Sequence, residues 1–138
     1  MIKTVMFMTL NNAAAYKPVK GDRMISIMGY NGDPADLNPS WPEEHILRMN
    51  FDDVTFEQIG AFKEVHAHTV IEWLDKLAED REAERLIVHC IGGRSRSVAV
   101  AEFVALRYGL AFDPLGFQPN ALVREVLAKV MEGMHTGG

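Results

Sequence analysis

The sequence predicts an α/β fold: a small, mostly parallel central sheet of four to five strands flanked by helices. Three observations carry that expectation. Short apolar runs bounded by Asn, Gly and Pro come first, and helical periodicity follows them. A continuous apolar strand, Arg85 to Cys90, then feeds through a Gly-rich turn directly into a helix. Strands interleaved with helices in this way stack into layers, and ligands sit where strands meet loops at the carboxyl edge of the sheet.

Thr4 to Leu10 and Arg23 to Met28 read as strands, although helix remains open for runs this short. Tyr30 to Glu44 is rich in turn formers and reads as loop. His45 to Phe51 alternates around Ile46, Leu47, Met49 and Phe51, a third strand that ends at the acidic pair Asp52 and Asp53. A helix is expected next, because Thr55 can cap with Gln58 in capping-box register while Val54 and Ile59 hold the staple positions. Phe56, Ile59, Phe62, Val65, Trp73, Leu74 and Leu77 would form its apolar face. Gly60 interrupts that pattern, so the helix either runs through or restarts near Phe62. Arg85 to Cys90, apolar nearly throughout, is expected at the centre of the sheet, covered on both faces. RSVAVAEFVALRYGL then reads as a helix packing through Val98, Phe103 and Leu106 and ending at Gly109, and Asn120 to Met131 as the last helix.

At 138 residues and 48% hydrophobic content, the chain is expected to form one domain, residues 1–138, with 133–138 as a frayed tail. The formal charge of -5 repels polyanions and argues against general nucleic-acid binding. One cysteine, Cys90, cannot close an intrachain disulfide, so a reducing, cytoplasmic setting is expected. No stretch approaches the ~18 apolar residues of a membrane span, and the amino terminus does not read as a secretory signal. His66 and His68, two apart, face different sides of a helix and are expected at the surface, so no metal site is read from them. The methionines, among them Met6, Met8, Met24, Met28 and Met49, are expected to fill strand cores.

The chemistry lies in HCIGGRSRS, His89 to Ser97. Gly92 and Gly93 let the loop curl so that successive N–H groups of Ile91, Gly92, Gly93, Arg94, Ser95 and Arg96 point inward, and the following helix adds the positive end of its dipole. That nest suits a phosphate. Arg96, in the first helical turn, can reach back across the loop and hold two phosphate oxygens with its planar fork. Cys90 at the floor of the nest would be held as thiolate, a nucleophile that attacks phosphorus to give a phosphocysteine intermediate. Ser97 can donate to the sulfur as it leaves. The plainer alternative is a packed free cysteine beside a connecting turn. Arg94 is either a solvated rim charge or an extra contact for a substrate with more than one phosphate.

HCIGGRSRS resembles the HCxxGxxRS signature of the cysteine-dependent protein phosphatases of the protein tyrosine phosphatase superfamily, closest to the dual-specificity branch. The resemblance implies a phosphatase fold built on a strand, a phosphate loop and a helix. It implies hydrolysis of phosphotyrosine, and of phosphoserine or phosphothreonine, in phosphorylated proteins or small phosphoesters, without a cofactor. It makes Cys90 the nucleophile, Arg96 the phosphate clamp, Ser97 the helper of thiolate departure and His89 a brace near the cysteine. Pro119 and Asn120 resemble a pair whose Asn braces the phosphate loop. The general acid is expected at Asp53, the last carboxylate of Phe51-Asp52-Asp53, with Asp52 in reserve; acidic residues there also suit a helix dipole. Trp41-Pro42-Glu43 mimics the acid loop of tyrosine-specific members, yet it ends in Glu and precedes the third strand, so Trp41 is expected to pack at the domain edge.

Other readings stay open beside this one. A phosphatase of inositol phosphates, phosphoinositides or RNA 5′ phosphates is suggested by Arg94, and a non-catalytic module binding phosphorylated residues belongs to a different class. An arsenate reductase would need further cysteines, and a sulfurtransferase a loop of different length.

Overall fold

The computed structural model describes residues 1–136, in which four parallel strands form one sheet. The elements run β1 (Thr4–Met8), α1 (Leu10–Ala15), β2 (Asp22–Met28), β3 (Ile46–Asn50), α2 (Glu64–Ala78), β4 (Arg85–His89), α3 (Arg96–Tyr108) and α4 (Ala121–Thr136). The strand order is β1-β4-β2-β3, so β4 lies inside the sheet as its unbroken apolar run requires. The α/β expectation holds, with the lower number of strands.

Alternation along the strands divides two layers. Ile25, Ile27, Leu86 and Val88 enter the main core with Leu74 of α2, Val100 and Val104 of α3, and Val123 and Leu127 of α4. Met24, Ile46 and Ile87 pack on the other face with Ala13 of α1 and the buried Trp41. Trp41 therefore belongs to a core cluster near the start of β2 and β3. Glu43 pairs with Arg48 of β3, 2.9 Å away.

Several expectations need correction. The first strand ends at Met8, because the Thr9 hydroxyl accepts the Asn12 N–H at 3.1 Å and caps α1. That helix, LNNAAA, carries no readable periodicity. The helix expected from Thr55 starts at Glu64 instead. Gly60, with φ +87°, reverses the chain, and its carbonyl accepts the Asp52 N–H at 2.8 Å, so residues 52–60 fold back as a loop. Ile59 is exposed, no staple, and Val65 is exposed too. Of the two options left by Gly60, the restart is the one that occurs.

His66 is no simple surface residue. Its ring stacks on Phe62 at 5.5 Å, and its Nδ1 accepts the Lys63 N–H at 2.9 Å, closing the start of α2. Leu106 is exposed on α3, while Gly109 ends that helix in the left-handed conformation as expected. Met6, on the edge strand β1, is exposed, whereas Met24 is fully buried. Residues 133–136 are helical in α4, contrary to a tail fraying from 133, and residues 137–138 lie outside the described range. Among the described residues, no helix is long and apolar enough to cross a membrane.

Candidate active site

β4 ends at His89, and Cys90 follows it at the carboxyl edge of the sheet, only 2% exposed. The loop that follows curls because of Gly93. Its φ of +62° is a conformation that L side chains avoid, and a Cβ there would meet the backbone of Met8 and Thr9 at 2.8 Å. The end of β1 thus presses on the loop, and only glycine fits between. In this curl the Gly93 N–H donates to Cys90 Sγ at 3.2 Å, and the Ser97 hydroxyl lies 3.1 Å from the same sulfur. Both can donate to a thiolate.

α3 begins at Arg96, and the residue before it, Ser95, makes no side-chain cap. Its hydroxyl is engaged elsewhere, so the first amides of α3 have no side chain competing with an anion. Arg96 is 6% exposed, and its Nη1 donates to the Phe51 carbonyl at 2.7 Å. The end of β3 therefore anchors one corner of the guanidinium. Nε and Nη2 have no partner among the described residues, and these are the donors a bidentate oxyanion contact needs.

Asp53 and Asp52 part company here. Asp53 Oδ1 accepts from the Ser95 hydroxyl at 2.8 Å and from Asn120 Nδ2 at 2.7 Å, which seats this carboxylate against the loop that follows Cys90. Oδ2 has no partner among the described residues. Asp52 accepts the Tyr30 N–H at 2.9 Å and donates its own N–H to Gly60, so it shapes the loop.

Asn120 is 2% exposed and ties three segments together. Its amide nitrogen donates to Asp53 and to the Val54 carbonyl at 3.1 Å, and its backbone N–H donates to the Ser95 carbonyl at 3.1 Å. Its Oδ1 accepts the Val123 N–H at 3.0 Å, a side-chain cap on α4.

His89 is fully buried, with Nδ1 3.4 Å from the Cys90 carbonyl and Nε2 2.6 Å from the Ser26 hydroxyl. Burial pushes this imidazole below its ordinary range, and the charges of Arg48 and Arg96 push the same way, while the bond to the Cys90 carbonyl opposes them. The neutral ring can donate from Nδ1 to Cys90 and accept the Ser26 hydroxyl at Nε2. Ser26 lies beside His89 in the β2–β4 register. Sequence reasoning missed it, although a lone polar residue inside the run RMISIM was the available signal.

The remaining loop residues form the mouth. Ile91 and Gly92 are exposed, and Arg94 projects at the rim with its guanidinium 5.9 Å above the Phe117 ring. Trp41 and Pro42 instead line a 250 Å³ cavity with Gly21 and Asp22, where β2 begins.

A parallel four-stranded sheet with a cysteine loop between an inner strand and a helix is a fold of the dual-specificity phosphatase type. Two solved structures of human DUSP28 make the comparison specific. One is 20% identical with a TM-score of 0.57, covering 86% of this chain and 82% of that one. The other, a tyrosine-to-histidine variant, is 19% identical with a TM-score of 0.61, covering 96% and 92%. No protein-family model and no curated protein matches the chain.

Proposed function

We propose that the protein hydrolyses phosphate monoesters through a phosphocysteine intermediate, with phosphotyrosine in proteins as the leading substrate and phosphoserine and phosphothreonine as further ones. The observation that carries this reading is the pair of hydrogen-bonding groups at Cys90 Sγ, the Gly93 N–H donating at 3.2 Å and the Ser97 hydroxyl 3.1 Å away, in the loop that leads into the half-anchored Arg96.

In the first step, the Cys90 thiolate forms the S–P bond as the ester P–O bond breaks. The departing oxygen keeps the electron pair and takes a proton from Asp53 Oδ2. The loop amides and Arg96 hold the equatorial oxygens, whose charge is greatest in the transition state. Water then attacks phosphorus and gives a proton to the Asp53 carboxylate. The S–P electron pair returns to sulfur, which Ser97 receives with its hydroxyl, and inorganic phosphate leaves.

Hydrolysis of para-nitrophenyl phosphate with chelator present tests the proposal. Turnover should persist in the parent and vanish in Cys90→Ser at equal folded concentration, and a folded parent without turnover favours a phospho-binding module instead. Asp53→Asn should lose the alkaline limb of the pH–rate profile, since that limb reports deprotonation of the acid. An alkaline limb that survives in Asp53→Asn and disappears in Asp52→Asn would transfer the role to Asp52.

A further inference from the structure

We propose that Arg94, held on the ring of Phe117, is a second anion subsite that selects phosphopeptides carrying a negatively charged side chain within two residues of the phosphorylated one. The inference rests on the phosphatase reading above and adds a substrate class to it.

Of the eight arginines, only Arg94 and Arg81, the latter in the turn between α2 and β4, have no hydrogen bond or ion pair among the described residues, and of these two only Arg94 lies over an aromatic ring. Arg23, Arg48, Arg85, Arg107 and Arg124 each pair with a carboxylate, and Arg96 is held by the Phe51 carbonyl. Arg94 has no hydrogen bond or ion pair among the described residues. Its guanidinium lies over the Phe117 ring at 5.9 Å, and an aromatic face attracts a guanidinium without consuming any N–H donor. The cation is therefore positioned while its donors remain available.

The support beneath it is built. Phe117 meets Phe7 of β1 edge-on at 6.3 Å, and Phe7 meets Phe112 at 5.9 Å. The turn that delivers Phe117 is held by Asp113 Oδ1, which accepts the Leu115 N–H at 2.8 Å, and by the Phe117 N–H donating to the Pro114 carbonyl at 3.0 Å. Leu115 takes φ 55° to make that turn, an unusual conformation for leucine. A freely solvated rim charge requires none of this.

The surroundings favour a peptide as the source of the second anion. Ile91, Leu115 and Phe117 are exposed apolar residues of the same two loops and offer a flanking chain something to pack on, which a soluble polyphosphate cannot use. The chain's overall charge of -5 also disfavours polyanions. Along an extended peptide, side chains two apart share a face ~7 Å from each other, and Arg94 lies in the same loop as Cys90.

The test compares kcat/KM on phosphotyrosine peptides that differ only two positions from the phosphotyrosine, with Gln, Glu, phosphoserine or Lys there. The parent should prefer Glu over Gln by about fivefold, the upper range for an exposed ion pair, and phosphoserine by more. The ratio should shrink in high salt. Arg94→Gln should bring it to about one, Arg94→Glu should reverse it in favour of Lys, and Phe117→Leu should lower it. Reading ratios within each variant separates selectivity from any change in the common rate. Equal rates on the Gln and Glu peptides, or a preference that survives Arg94→Gln, overturn the subsite and leave the phosphatase standing. A parent that cleaves no peptide, or cleaves an inositol polyphosphate faster than any of them, overturns the peptide phosphatase reading and the subsite with it.

Discussion

The floor and the rim of this site are built by different means. The floor, from His89 to Ser97, is continuous chain between an inner strand and a helix, and backbone constraints shape it: Cys90 leaves the sheet, Gly93 turns against Met8 and Thr9, and Arg96 starts α3. The rim is assembled by side chains far apart in sequence. Ser95 reaches Asp53 across 42 residues, Asn120 reaches Asp53 across 67, and Phe117 supports Arg94 from another loop. Floor and rim therefore differ in what a substitution can do. A change in the floor must move backbone, whereas a change in the rim can alter one contact and leave the loop's backbone intact.

The largest effect is expected where the floor is tightest. Gly93→Ala would bring a Cβ to 2.8 Å from the Met8 carbonyl carbon and the Thr9 nitrogen while holding alanine at φ +62°. Together, left-handed strain and overpacking should cost about 2–5 kcal/mol. Its neighbour is the control, because a Cβ on Gly92 meets nothing within 4 Å and Gly92→Ala should stay within about 0.5 kcal/mol of the parent. Denaturant melts of the two variants decide the matter. Equal stabilities would show that the loop yields there, and the claim of a backbone-defined floor would fail.

That contrast also explains what could be read from the chain. The strand Arg85–His89, the start of α3 at Arg96 and its end at Gly109 were legible because local chemistry dictates each: an unbroken apolar run, glycines before Arg-Ser, a glycine able to take φ > 0. The restart of α2 at Glu64 was not, because the Thr55–Gln58 pattern is a valid local signal overruled by distant partners. Gly60 folds the loop back onto Asp52, and His66 caps the later start. Ser26 escaped notice for a similar reason, since its meaning comes from lying next to His89 in the sheet. The contacts that distinguish Asp53 from Asp52 likewise come from Ser95 and Asn120, distant in sequence.

A moderate effect is expected behind the floor. His89 is held below the usual imidazole range mainly by burial, and His66 is lowered in the same direction by burial and by Lys63. The unfolded chain then binds protons that the folded one refuses as pH falls below 6.5, the ordinary value. Stability is therefore full above that pH and declines under it, with a slope of at most about 1.4 kcal/mol per pH unit for each imidazole. His89→Gln should melt lower at pH 7 and show a shallower decline between pH 7 and 5.5. A decline as steep as the parent's would remove His89 from the account and leave it to His66 and other groups.

The smallest effect is expected at the rim, and its sign is opposite. Leu115 takes φ 55° with 66% of its surface exposed, so the side chain gains little from burial while the backbone carries left-handed strain of about 1–2 kcal/mol. Glycine would relieve that strain but adds unfolded-state freedom costing about 0.5–1 kcal/mol. Leu115→Gly should therefore stabilise the protein by about 0.5 kcal/mol, seen as a small rise in the denaturant midpoint with an unchanged slope. The same substitution removes an exposed apolar surface from the loop that carries Phe117, so the gain in stability should come with slower turnover of peptides but not of para-nitrophenyl phosphate. A lower midpoint would mean that Leu115 packs in solution and that the rim, like the floor, depends on more than single contacts.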